Sequence, residues 1–302
     1  MRIVSLTPFL TEIAALLGVE ESVVGISHLC DHPRSLLDRP RVTVPSAGGN
    51  TVKIEQLDGE SFVDIDALRA LSPDVVIAGC PETEKNGGLA ELRERLGLES
   101  TRILTFLPIT LQDVYAAYDW LGEVLGKGAK GRELAARHQA QFSDWGRNFY
   151  DRTRGRKATF VSGVSPYKLG GYWIPDLIAT MSATSQCPSG EMRHPETSWK
   201  AIQEYNPDVI LFAPKGYTVE QSARILFELE KMPDNEKIGA FKRGQVYFCD
   251  GLSYFYRPGP RLIDSMGILV SAIGGMDSGY ISPRDAFYRM RWIEMNRHKF
   301  KG

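Results

Sequence analysis

Asp66-Ala-Leu-Arg-Ala-Leu-Ser-Pro-Asp-Val-Val-Ile-Ala-Gly79 recurs in altered form as Lys200-Ala-Ile-Gln-Glu-Tyr-Asn-Pro-Asp-Val-Ile-Leu-Phe-Ala213. Each copy reads as a short amphipathic helix, a Pro-Asp turn and a buried strand. The second begins well into the latter half of the chain, so one supersecondary unit is used twice, which predicts two similar lobes rather than one large core. Two lobes leave a cleft, and clefts at domain interfaces are where small molecules bind.

Outward from these copies, strand and helix signals alternate. In the first lobe the pattern predicts a strand at 3–6, a helix opened by Thr7-Pro8 and closed by Gly18, and a strand at 22–26. A helix over 63–71, a strand at 75–78, a helix over 89–96 and a strand at 101–106 follow. Helical spacing covers 111–125 and resumes from about 132 to 152, without a proline between 109 and 165, as expected of a long helix joining the lobes. Its Lys and Arg residues read as a solvated face. The second lobe restarts with a strand at 158–161. A helix around 174–181, the repeated unit, a helix near 219–230, a strand at 245–248 and a helix over 260–273 complete it. The tail from Pro283 to Gly302 is basic and aromatic and is expected to be helical, packing back through Phe287, Met290 and Ile293. The resulting expectation is an α/β fold with mainly parallel sheets: an N-terminal lobe at 1–126, a linking helix at 127–156 and a C-terminal lobe with its tail at 157–302.

The chain has 302 residues, 43% hydrophobic and 24% charged, with a formal net charge of −1. That balance fits a folded protein and gives no electrostatic reason to expect a nucleic-acid partner. No apolar run approaches the length of a membrane span. Met1–Leu6 already reads as a strand, with no basic region, apolar stretch and cleavage site before it. The expectation from the sequence as written is a cytoplasmic location, the alternative being a periplasmic or cell-surface protein whose export signal preceded Met1. The four cysteines, Cys30, Cys80, Cys187 and Cys249, are scattered, as buried free thiols would be.

Several motifs fail on context. Gly126-Lys-Gly-Ala-Lys-Gly131 matches a dinucleotide-loop pattern but lies between two predicted helices, where it reads as a helix break. There is no P-loop pattern and no Gly-x-Ser-x-Gly elbow.

Four stretches remain. Gly25-Ile-Ser-His28-Leu-Cys30-Asp31-His32-Pro33 follows a strand, where open α/β sheets bind ligands. It reads as a turn fixed by Asp31 and His32-Pro33, as a ligand-contacting loop, or as a metal site built from His28, Cys30, Asp31 and His32. Gly79-Cys80-Pro81-Glu82 and its counterpart Ala213-Pro214-Lys215-Gly216-Tyr217 end the repeated strands. Asp250-Gly-Leu-Ser-Tyr254-Phe255-Tyr256-Arg257-Pro258-Gly259-Pro260-Arg261 offers either a flat aromatic wall beside an arginine or a core-packing corner. Gly170-Gly171-Tyr172-Trp173 offers an aromatic platform or a helix anchor, and His194 precedes the second repeat.

Together, Arg2-Ile-Val-Ser-Leu-Thr-Pro, Thr11-Glu12-Ile13, Leu17-Gly18, Val24–Ser27, Asp31-His32-Pro33, the Pro-Asp-Val units and Arg257-Pro-Gly-Pro-Arg261 resemble the cobalamin and iron-siderophore substrate-binding proteins of ABC importers, over about residues 1–275. The cobalamin-binding branch is the nearest likeness. The resemblance implies two Rossmann-like lobes on one long helix, as in class III periplasmic binding proteins, holding a corrinoid, haem or ferric chelate between them. It places Arg257 against the ligand from the second lobe, with Tyr254 and Phe255 beside it. Position 80, where an aromatic can stand, is Cys80 here. It also implies one permease-docking acid per lobe: Asp66 holds the first place, whereas Lys200 reverses the charge at the second, with Glu204 one turn later.

The resulting expectation is a monomeric, non-catalytic corrinoid-binding protein that requires no cofactor of its own. It serves as an importer's substrate-binding protein or as a cytoplasmic carrier or sensor. A ferric siderophore or haem is the alternative ligand. The site residues expected are His28, Cys30, Asp31, His32, Cys80, Tyr172, Trp173, His194, Tyr217, Tyr254, Phe255 and Arg257. His28 and His194 are the candidate axial ligands to the bound metal. The opposing class is an enzyme acting on a corrinoid or chelate through His28, Cys30, His32 and Cys80.

Overall fold

The computed structural model describes residues 1–57, 59–80, 87–97, 99–191, 193–229, 231–275 and 287–289. The chain forms two units. The first comprises Met1–Pro108, Asp113–Ala136 and Arg257–Pro260; the second comprises Ile109–Gln112, Arg137–Tyr256 and the described residues from Arg261 onward.

In the first unit β1 (Ile3–Ser5), α1 (Pro8–Leu16), β2 (Val23–Ile26), β3 (Thr43–Val44), β4 (Thr51–Gln56) and β5 (Gly59–Asp64) lead into the first repeat. The repeat supplies α2 (Ile65–Ala70) and β6 (Val75–Ala78), and α3 (Gly87–Leu96), β7 (Arg102–Thr105) and α4 (Leu111–Val124) follow. The main sheet has the order β2-β1-β6-β7 and is parallel throughout. Every residue of β6 is buried, as a sheet covered on both faces requires, which is why the strand reads as an unbroken apolar run. Leu68, Leu89, Leu92 and Leu96 pack with Val4, Leu6, Val76 and Ala78 in one core.

The first unit departs from the predicted elements at 51–64. These residues form an antiparallel hairpin, β4–β5, extended by β3. Val63 belongs to that hairpin and pairs with Thr43 and Val52; α2 starts only at Ile65, where the Asp64 side chain accepts the Ala67 N–H at 2.9 Å. The signal was present: Val52, Ile54 and Gln56 are buried while Lys53 and Glu55 are exposed, the period-two pattern of a half-buried strand.

Helix α5 (Gly128–Thr153) follows α4 after a short break. The Gly-x-Gly-x-x-Gly stretch serves that junction. A Cβ on Gly131 would lie 2.5 Å from the Tyr118 carbonyl oxygen, and one on Gly122 would lie 3.0 Å from the Gly131 Cα. The two helices touch backbone to backbone, an approach only glycine permits.

The second unit contains β8 (Lys157–Val164), β9 (Tyr167–Leu169), α6 (Ile174–Thr180), β10 (Thr184–Ser185), α7 (Trp199–Tyr205) and β11 (Val209–Phe212). Then come α8 (Val219–Ala223), α9 (Leu226–Leu229), α10 (Gly239–Lys242), β12 (Val246–Cys249), α11 (Leu262–Gly274) and β13 (Phe287–Arg289). The order β10-β8-β11-β12 is parallel, like the first sheet, and β13 adds an antiparallel edge. The predicted helical tail therefore gives way at Phe287–Arg289 to a strand, and the Phe287 ring stands 5.9 Å from that of Tyr247. Met290 and Ile293 lie outside the described residues. The single helix predicted near 219–230 is two short ones.

The internal repeat is explained by its hydrogen bonds. Asp64 and Ser198 cap α2 and α7, accepting the N–H of Ala67 and Ala201, as N-cap side chains do. Ser72 and Asn206 take the left-handed conformation, with φ of 43° and 49°. Pro73 and Pro207 follow. Asp74 then accepts the Arg2 N–H and Asp208 the Lys157 N–H, while the amides of the two aspartates donate back to the Arg2 and Lys157 carbonyls. Each Pro-Asp turn thus pins the entry of the neighbouring strand and sets its register against the repeat strand.

Candidate functional site

In the first unit the Ser27–Pro33 loop leaves the carboxyl end of β2. It is held from several sides. Arg41 Nη1 donates to the carbonyls of Ser27 at 2.8 Å and Cys30 at 2.9 Å. Arg257 donates to Asp31 Oδ1 at 2.5 Å and to the Leu29 carbonyl at 3.4 Å. Thr11 Oγ1 lies 3.3 Å from Cys30 Sγ. Thr43, buried in β3, accepts the His28 backbone N–H at 2.9 Å, and its hydroxyl lies 2.7 Å from His28 Nδ1 and 3.0 Å from Ser27 Oγ. Burial, with the nearby Arg41 charge, lowers the His28 pKa, which favours a neutral ring.

The loop is a clamped turn, and its donors do not form a metal cage. Cys30 is buried, and burial pushes its thiol up to about 11. Asp31 is bound to Arg257 and is exposed, as is His32. Among the described residues no three His, Cys, Asp or Glu side chains converge as a metal site. Arg257 does not belong with the second lobe as expected: Arg257–Pro260 clusters with the first unit, and a Cβ on Gly259 would meet Phe9 at 3.3 Å. Its guanidinium is occupied in holding the loop.

Cys80, at the end of β6, has no exposed surface and a thiol raised by burial to about 12. It presents nothing to a ligand in this conformation, because it packs in the same apolar core as Leu6 and Ala78. Pro81 and Glu82 lie outside the described residues.

In the second unit the loops after β11 and β12 are laced together. Gly216 N–H donates to the Gly251 carbonyl at 3.1 Å and Gly251 N–H to the Tyr217 carbonyl at 2.8 Å. Asp250 accepts from the N–H groups of Leu252 and Ser253, each at 2.8 Å, a turn built by an aspartate side chain. Tyr256 Oη donates to the Ala213 carbonyl. This frame leaves Tyr217 39% and Leu252 43% exposed, with Tyr254, two residues after Leu252, half-buried.

Two of the other predicted aromatics, Phe255 and Trp173, face inward. Phe255, at φ 67°, is fully buried with its ring 4.9 Å from that of Phe160. Trp173 is buried and donates from Nε1 to the Phe255 carbonyl at 2.8 Å, which makes it the anchor of α6. Tyr172 remains half-buried, 5.1 Å from the His194 ring. Gly171 admits the chain itself: a Cβ there would overlap the Arg193 carbonyl.

His194 is not available as an axial ligand. Its Nδ1 accepts the Gly171 N–H at 3.0 Å, and the ring also hydrogen-bonds the Leu169 backbone. Burial, with Lys215 adding, pushes its pKa down to about 4. It fastens the Gly170–Tyr172 segment.

Asp66 is exposed on α2 and accepts from Asn50 Nδ2 at 2.7 Å. Lys200 on α7 is exposed and lies 3.8 Å from Glu204. Sequence reading missed Thr43 and Arg41, which reach the loop from another element, and did not single out Leu252 within the 250–261 stretch.

Parallel sheets flanked by helices, each with its strand-end loops stiffened, describe a binding protein scaffold. The profile of the family described as periplasmic binding protein matches residues 3–251, and the chain belongs to that family. A vitamin B12-binding protein of Vibrio cholerae is 23% identical over 274 residues, 88% of this chain and 86% of its own. An uncharacterized ABC transporter substrate-binding lipoprotein of Bacillus subtilis is 24% identical over 283 residues, 90% of this chain and 79% of its own. Among solved structures, a heme-complexed protein of S. aureus shares the fold with a TM-score of 0.69 at 18% identity, covering 90% of this chain and 98% of that one. These relatives are binding proteins, and the lipoprotein among them gives no support to a cytoplasmic location. Among the described residues no helix is long and apolar enough to cross a membrane.

Proposed function

We propose that the protein is a non-catalytic solute-binding protein whose ligand is a corrinoid of the cobalamin type, presented to an ABC permease or carried free. The observation that carries this reading is the stiffened rim of the second unit, where Tyr217 and Leu252 are held exposed on cross-tied loops. Rigid apolar and aromatic surface binds a large, flat ligand with little ordering cost. The vitamin B12-binding relative, aligned along most of both chains, supports the same ligand class. Haem is the second reading, supported by the half-buried imidazole of His28 on the first unit's clamped loop. The enzymatic alternative is disfavoured by its own candidates: Cys30 and Cys80 are buried, protonated thiols, and the thiolate is the reactive form.

Thermal melting with hydroxocobalamin, hemin and a ferric hydroxamate siderophore tests the reading. A ligand present at a hundredfold excess over its Kd adds about 2.7 kcal/mol to stability. Hydroxocobalamin is expected to raise the melting temperature and to be recovered intact. No shift with any corrinoid, or consumption of the ligand, would refute the proposal.

A further inference from the structure

We infer that His28 Nε2 coordinates the ligand's metal ion at an exchangeable axial position, and that Thr43 is the residue positioning the ring. This deepens the reading above and rests on it, since the metal arrives with the ligand. The ring is fixed at one nitrogen and open at the other. Nδ1 lies 2.7 Å from Thr43 Oγ1. Among the described residues Nε2 has no hydrogen-bond partner, and His28 is only half-buried. A metal-ligating histidine characteristically has its second nitrogen held by a hydrogen bond that sets ring orientation and tautomer.

Thr43 is suited to that task. Its hydroxyl touches Ser27 Oγ, the His28 N–H and His28 Nδ1 together. Each hydroxyl of the Ser27–Thr43 pair can donate or accept, so reversing their protons serves either ring tautomer without moving a heavy atom. With Nδ1–H donating to Thr43, Nε2 carries the free electron pair. The surrounding clamp of Arg41 and Arg257 on the loop carbonyls and Asp31 keeps the ring in place, so little ordering remains to be done on binding. His194, the other candidate imidazole, has its ring hydrogen-bonded to Gly171 and Leu169.

The step is a ligand exchange without redox change. The Nε2 electron pair forms a bond to cobalt(III) or iron(III), and the water in that axial position leaves. This defines the substrate class: a metal macrocycle whose equatorial positions are filled by ring nitrogens and whose axial position exchanges. A ferric siderophore with six oxygen donors has no such position and gains nothing from His28.

Visible spectroscopy tests this with hydroxocobalamin, cyanocobalamin and hemin as probes. Hydroxocobalamin is expected to shift its spectrum on binding the wild-type protein; cyanocobalamin, whose axial cyanide does not exchange, is expected to show no shift. His28→Ala should abolish the shift and weaken hydroxocobalamin binding by about tenfold or more, with added imidazole restoring the spectrum. Thr43→Val should weaken the shift, and Thr43→Ser should retain it. Hydroxocobalamin binding that is spectrally silent, or identical in wild type and His28→Ala, would overturn the axial role and leave the corrinoid reading standing. If no corrinoid binds, the corrinoid reading falls. The hemin arm then decides the axial role alone: a Soret shift lost in His28→Ala upholds it, and no such shift ends it.

Discussion

Asp74 and Asp208 do the same work in the two halves of the chain. Each receives the first N–H of a neighbouring strand on its carboxylate and returns its own N–H to the carbonyl of the same residue. A Pro-Asp pair before an apolar run is visible in sequence, so this part of the fold was legible residue by residue. Side chains whose partners lie far away in sequence were not. Thr43 carries no motif, and its importance comes from standing beside His28. Cys30 and Cys80 show the opposite error: residues that look chemically active are buried at the site. We expect a thiol reagent such as DTNB to leave the native protein unmodified on the timescale of minutes and to titrate all four cysteines in guanidinium, because the four are free and buried and burial raises each pKa. Fast labelling of a native thiol would revive the enzymatic alternative.

Elements divide in the same way. Strands β6 and β11 and the helices before them were readable because a four-residue apolar run flanked by a turn has one stable place, inside a covered parallel sheet. The β4–β5 hairpin was lost because Val63 continues an apolar pattern into α2, and only the Asp64 cap separates them. Phe287–Arg289 became a strand because the edge of β12 was there to pair with, a fact that no local propensity contains. The α4–α5 junction yields a test. Replacing glycine by alanine inside a helix ordinarily stabilises by about 1 kcal/mol. At Gly131 the added methyl meets a backbone carbonyl at 2.5 Å, and overpacking of that kind costs roughly 1–3 kcal/mol. Gly131→Ala is therefore expected to lower stability in urea denaturation by up to about 2 kcal/mol, and a gain would show that the helices do not touch there.

At the scale of the molecule, stability is expected to fall on the acid side before carboxylates titrate. His138 and His194 are held down to about 4, chiefly by burial, with the charges of Arg137 and Lys215 respectively adding. An unfolded histidine titrates near 6.5. Between those values the unfolded chain binds more protons than the folded one, so stability is full above about pH 6.5, declines as pH falls and stops declining near pH 4. Each histidine accounts for roughly 3 kcal/mol of that loss. His138→Leu, which removes one of the two, should flatten the decline by about half in melts between pH 7 and 4.5; an unchanged slope would mean the ring is protonated in the folded protein.

The sequence by itself determined the duplicated helix–turn–strand unit, the parallel sheets and the family, because periodicity, turn chemistry and capping act over a few residues and are written in them. Only the tertiary structure decided which of the candidate residues are buried or already engaged by neighbours. Trp173 and Phe255 turned inward to close the second unit's core, His194 spent its ring on the backbone, and Arg257 turned to Asp31. Of the two candidate axial imidazoles, His28 was left with Nδ1 anchored and Nε2 without a hydrogen-bond partner among the described residues, an outcome set by neighbours that fold in from elsewhere in the chain.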